Sequence, residues 1–172
     1  MQKIVSLLSK SSIMRKVFVG FVCFVVLLSC ESDNDFSDIP FLEYVSHEFK
    51  AKDEQRFIEM KLYFNDRDGN IGLEPWDTVA PFNQGSIYFN NLWVTAYLVR
   101  NGIPTDTFPG FDGRIPNLTP EGQNKSLEGH IFYDIRIEPT ALGDTILFDF
   151  VLVDRDLNRS DTAKTPPIRI EI

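Results

Sequence analysis

Two short acidic segments carry the clearest chemical possibility in the chain. Asp66-Arg67-Asp68-Gly69-Asn70 and Asp154-Arg155-Asp156-Leu157-Asn158 share the pattern Asp-Arg-Asp-x-Asn, and each follows an apolar run. Oxygen donors at alternate positions suit a hard cation such as calcium, which gathers about six to eight oxygens. Asp66, Asp68 and Asn70 occupy the first, third and fifth places of an EF-hand-like loop, with Asp77 at the twelfth. Ile71 stands where that loop needs Gly, and the flanks read as strands, so this is not an EF-hand. The second segment has Thr165 at its twelfth place. The same residues also build ordinary turns. Asp and Asn bond their own backbone, and Gly69 and Gly72 reach positive φ freely. Asp66, Asp68, Asn70, Asp154, Asp156 and Asn158 are therefore candidate calcium ligands. Arg67, Arg155 and Arg159 are the cations that could neutralise them instead.

Other reactive side chains are sparse. The chain has two His, His47 and His130, and neither adjoins a Ser or Cys in a nucleophile-like turn. There is no GxSxG, HExxH, P-loop or dinucleotide fingerprint. The 25 acids offer many carboxylate pairs, and a solvated acidic face accounts for them. The expectation is a non-catalytic protein. Trp76, Phe82, Tyr88, Phe89 and Trp93 form an aromatic cluster. Trp93 lies inside a strand-like run, whereas Trp76 and Phe82 lie in a loop beside the first acidic turn. These two are the candidate contacts for a glycan or peptide ligand.

Strands must position these groups, because the apolar periodicity is two. Ile58, Met60, Leu62 and Phe64 share a face opposite Glu59 and Lys61. Ile131, Tyr133, Ile135 and Ile137 repeat the pattern, as do Ile146, Phe148, Phe150 and Leu152. Asn91 to Arg100 is apolar on both faces and reads as a central strand; Leu42 to Phe49 is a weaker first strand. One polar face per strand excludes a parallel sheet. About seven strands in this length predict an all-β, Ig-like antiparallel β-sandwich, with a small barrel as the rival. Pro104, Pro109, Pro116 and Pro120 restrict residues 102–125 to loops and at most a short edge strand. In an Ig-like sandwich the loop after the second strand and the loop before the last lie at one pole. Both acidic turns then converge there.

The N-terminus reads as an address. Val17 to Leu28 is uninterrupted apolar sequence, preceded by Arg15 and Lys16, and no Asp or Glu occurs before Glu31. The run is shorter than the ~20 residues of a spanning helix. It ends in Leu27-Leu28-Ser29-Cys30, which resembles the lipobox of bacterial lipoproteins. That resemblance implies cleavage before Cys30 and acylation of its thiol and amino group. Two or more acyl chains hold a protein stably at a bilayer. The expected organisation is a signal peptide over residues 1–29, an acylated Cys and acidic tether over 30–41, and the sandwich over 42–172. The tether reaches at most ~36 Å. Met14 already begins a complete signal of this kind, so either Met1 or Met14 could start translation. Removing the four leader cations leaves 13 cations against 25 anions, a balance of −12. So acidic a surface excludes nucleic acid as a partner and favours divalent cations or basic surfaces.

Several segments together resemble one family. DRDGNIGL (Asp66–Leu73), GRIPNLTPEGQNKSLEG (Gly113–Gly129) and VDRDLNRSDTAKTPPIRI (Val153–Ile170) are similar to small surface lipoproteins of Bacteroidota, with a DxDGDIG-type turn and a DRxxNxS-type ending. The Glu31-Ser32-Asp33-Asn34-Asp35 cluster after Cys30 resembles the export signal of that group. The resemblance implies an outer-membrane protein facing the exterior. It also implies a role as a binding or accessory module beside another envelope protein. Asn70 replaces the Asp usual in the turn, which removes one charge from the calcium reading. Asp-Thr-aliphatic triplets at Thr78, Thr145 and Thr162 resemble the O-glycosylation pattern of the same bacteria, with Thr162 the most loop-like.

Overall fold

The computed structural model describes residues 36–138, 141 and 144–171. The expected signal peptide and Cys30 lie outside the described residues. Eight antiparallel strands and no α-helix are found among the latter: β1 (Phe41–Lys52), β2 (Gln55–Asp66), β3 (Leu92–Arg100), β4 (Ile103–Phe108), β5 (Leu127–Ile137), β6 (Thr145–Leu152), β7 (Ala163–Lys164) and β8 (Ile168–Arg169). One sheet has the order β1-β2-β5. The other has β4-β3-β6-β7, with β8 also paired to β6. This is the Greek-key order of an Ig-like sandwich.

The period-two faces are the ones expected. Ile58, Met60, Leu62 and Phe64 of β2 face Ile131, Ile135 and Ile137 of β5 within one sheet and meet Phe148, Phe150 and Leu152 of β6 across the core, all buried. β3 lies between β4 and β6 as a central strand, with Leu92, Val94, Ala96 and Leu98 buried in the core and Trp93, Thr95, Tyr97 and Val99 half-buried on the outer face. β1 is longer than its sequence suggests. A bulge between Tyr44 and Ser46 shifts its alternation and hides the pattern. β4 is the single short edge strand expected in the Pro-rich stretch, and every residue in it is exposed.

The seventh strand of the sandwich is broken in two. Pro166 and Pro167 separate β7 from β8, because neither can donate to a ladder. Side chains replace the missing acceptors. The Thr165 hydroxyl accepts from the Phe148 N–H at 2.9 Å, and the Ser160 hydroxyl accepts from the Leu152 N–H at 2.9 Å. The fold also begins earlier than the expected tether boundary. Pro40 is buried, the Arg67 N–H donates to the Ser37 carbonyl at 3.0 Å, and Arg67 forks onto Asp38 at 2.7 Å.

Candidate functional site

Asp66–Leu73, Gly113–Leu118 and the Asp154–Asn158 turn meet at one pole of the sandwich, while the rest of the third segment runs back along β6. Asp66 is the last residue of β2 and keeps the parity of Phe64, so its carboxylate points inward. Gly69 and Gly72 then turn the chain with φ of 61° and 96°. A methyl at Gly69 would overlap the Lys125 carbonyl, and one at Gly72 would overlap that of Pro116. Only glycine therefore fits at either place. Between and beyond them Ile71 and Leu73 plug the core. The segment from Gly113 to Leu118 crosses over this turn. The Leu73 N–H donates to the Ile115 carbonyl at 3.0 Å, and the Leu118 N–H donates to that of Ile71 at 2.9 Å. Buried Asn91 fastens the crossing segment from below. Its Oδ1 accepts from the Ile115 N–H at 2.6 Å.

The two acidic turns meet as the topology requires. The Asn70 side-chain amide donates to Asp156 at 3.0 Å, and the Arg155 N–H donates to the Asn70 carbonyl at 3.3 Å. Their chemistry differs despite the shared pattern. In the second turn Asp154 is buried but both its oxygens are used. Oδ1 accepts from the Asn158 N–H at 2.7 Å and Oδ2 from the Asn158 amide at 2.8 Å. Asp154 and Asn158 thus close a structural turn, with Leu157 at φ 69°. In the first turn Asp66 Oδ2 accepts from the Asn70 N–H at 3.1 Å, and Asp68 Oδ2 accepts from the Asn70 amide at 2.9 Å. The remaining oxygens, Asp66 Oδ1, Asp68 Oδ1 and Asn70 Oδ1, are buried and accept no hydrogen bond. Burial raises the Asp66 carboxyl to about 7, and the neighbouring Asp68 charge pushes it the same way. Burial likewise raises Asp154.

The arginines are committed elsewhere, against the expectation that they neutralise the cluster. Arg67 pairs with Asp38, Arg155 pairs with Asp77 at 2.6 Å, and the Arg159 guanidinium lies 4.6 Å over the Trp93 ring. Asp77 is consequently an ion-pair partner and a cap for the Glu74 N–H at 2.8 Å, not a twelfth-place ligand. Arg155 and this cap together hold Asp77 below the usual carboxylate range.

The aromatic candidates separate. Trp76 is 73% exposed, whereas Phe82 is half-buried beneath Arg155, 5.8 Å from its ring. Arg114 anchors the loop that carries both, donating to the Glu74 and Asp77 carbonyls at 3.0 and 2.9 Å and to that of Phe89. Thr162 is exposed beside β7; Thr78 is exposed as well, and Thr145 is half-buried in β6. His47 binds the Tyr44 hydroxyl through Nδ1 at 2.7 Å.

One feature escaped the sequence reading. The outer face of the β1-β2-β5 sheet carries a row of rings spanning all three strands. Phe41 meets Tyr63 edge-on at 6.2 Å, Tyr63 meets His130 at 5.7 Å, and His130 meets Phe132 at 6.5 Å. Lys61 lies over Phe132 at 5.7 Å, and Phe132 is 60% exposed. The signal was present in outward-facing Tyr63 and Phe132, but their adjacency depends on cross-strand register. No family model, curated protein or solved structure matches the chain.

Proposed function

We propose that the chain is a lipoprotein anchored through Cys30 in the outer membrane, facing the exterior. There the sandwich serves as a non-catalytic module docking another envelope protein. The supporting observation is the aromatic row on the outer sheet face. Phe41, His130 and Phe132 are exposed on a rigid surface around half-buried Tyr63, flanked by Lys61, Glu128 and Asp134. Aromatic side chains ringed by polar groups are what protein interfaces concentrate. The lipid supplies location, the sheet supplies a fixed geometry, and the rings supply contact area. The test is recovery of a partner after mild-detergent extraction from cells carrying wild type or Phe132→Asp. The expected result is a partner retained by wild type and lost with the variant at unchanged melting temperature. Retention by both, or a mass showing Cys30 unacylated, overturns the proposal.

A second reading rests on Trp76, whose 73% exposure on an anchored loop suits stacking against a sugar or peptide. A glycan-array signal abolished by Trp76→Ala supports it. An array blank for wild type removes it.

A further inference from the structure

The first acidic turn has more acceptor oxygens than N–H and O–H groups bonded to them. Asp66 is wholly buried, with 0% exposure, and its Oδ1 accepts nothing. Asp68 and Asn70 are half-buried side chains, but their Oδ1 atoms are likewise shut off from solvent and unpartnered. A buried acceptor without a donor is costly, and a buried carboxylate more so. The three oxygens belong to side chains in direct contact: Asn70 bonds both acids, through its N–H at 3.1 Å and its amide at 2.9 Å. Those two bonds fix which edges are occupied and leave the other three oxygens over.

Leu127 pairs with Asp66, so the start of β5 lies beside the turn. The Lys125 carbonyl crowds Gly69 from the same strand end. The second turn is the internal comparison. It has the same sequence pattern, yet Asp154 satisfies both its oxygens locally. Turn formation alone therefore does not require oxygens to be left over.

Among the described residues no three His, Cys, Asp or Glu side chains gather closely enough to hold an ion by themselves. Here the third donor is an amide oxygen, so this is an oxygen-only set with two carboxylates. Such donors select hard cations over zinc or copper.

We propose that this turn binds one calcium ion through Asp66 Oδ1, Asp68 Oδ1 and Asn70 Oδ1. Water and nearby main-chain oxygens complete the shell. Asp154 and Asn158 are not ligands. Asp156 acts at one remove, by accepting from the Asn70 amide and so turning the Asn70 oxygen toward the ion. Two carboxylates and few protein donors place the site in the weak class of extracellular calcium modules, with Kd about 10⁻⁴–10⁻³ M. This inference is independent of the docking face, which lies on the outer surface of the sheet.

The test uses the full chain in non-ionic detergent, stripped with chelator and titrated with calcium chloride by calorimetry and thermal melting. The expected result is one site per chain and a melting temperature raised by roughly 5 °C at about 10 mM calcium. Asp66→Asn is expected to melt no lower than wild type without calcium while losing the calcium shift, because it removes a ligand and a buried charge together. Asp68→Asn is expected to weaken binding at least about tenfold, and Asp106→Asn, on exposed β4, to leave it unchanged. Absence of binding heat and of a melting shift overturns the proposal. Wild-type affinity in both Asp66→Asn and Asp68→Asn does so too, as does an equal response to magnesium.

Discussion

Individual residues at the acidic pole show how one local sequence pattern yields two chemistries. Asp77 illustrates the point, since spacing offers it as a ligand and geometry makes it the partner of Arg155. Its carboxylate sits 2.6 Å from the guanidinium and is held below the usual range, first by that bond and then by the Glu74 N–H. A depressed folded-state value means that the unfolded chain binds the proton more readily. The contribution of Asp77 is thus present above the unfolded carboxylate value near 4 and is lost as pH falls through the folded value. The expected outcome is a wild-type melting temperature that drops below about pH 4 more steeply than that of Asp77→Asn, measured by scanning calorimetry. Equal slopes would show that the pair contributes nothing. None of this was legible beforehand. The sequence displayed Arg155 beside Asp154 and Asp156, whereas its side chain crosses to the other turn.

Elements were more readable, because inward positions of β2, β5 and β6 repeat every second residue with few exceptions. The two hairpin turns, neither of them singled out from the sequence, differ in how well their residues suit the backbone. Asn101-Gly102 links β3 to β4 with φ of 53° and 77°, the Asn-Gly signal for a two-residue turn. Asp53-Glu54 links β1 to β2 with φ of 49° and 63°, and Glu there is strained. Replacing Glu54 with Gly is expected to stabilise the chain by about 1 kcal/mol, seen as a higher denaturation midpoint at unchanged m-value. A lower midpoint would mean that the added freedom of the unfolded chain outweighs the relieved strain. The broken edge strand was unreadable in a different way. Ser160 and Thr165 look like loop residues, yet each hydroxyl fills a vacant ladder position on β6. Thr165→Val is expected to cost about 1–3 kcal/mol, and Thr165→Ser much less, by denaturant titration.

The whole molecule couples its pole to its core. Topology alone brought the two acidic turns together, so that convergence could be read from strand order. What could not be read is that residues 113–118 strap the first turn in place, since their bonds to Ile71, Leu73 and Asn91 join segments distant in sequence. Asn91 is the fastening, and it donates as well as accepts, its amide lying 3.4 Å from the Ile115 carbonyl. Asn91→Ala would leave the Ile115 N–H buried without an acceptor. The expected loss is about 2 kcal/mol in a single cooperative melting transition. A separate early transition would show instead that the pole unfolds on its own.

The twin prolines between β7 and β8 have a consequence for crowding. An unbroken border strand offers a row of free N–H and C=O groups on which another copy can build, the first step toward fibrils. Here one border is split by Pro166-Pro167, and the opposite one, β4, is six residues long and carries Pro104. Copies packed densely side by side therefore find no long template on the β4-β3-β6-β7 sheet for strand-to-strand stacking.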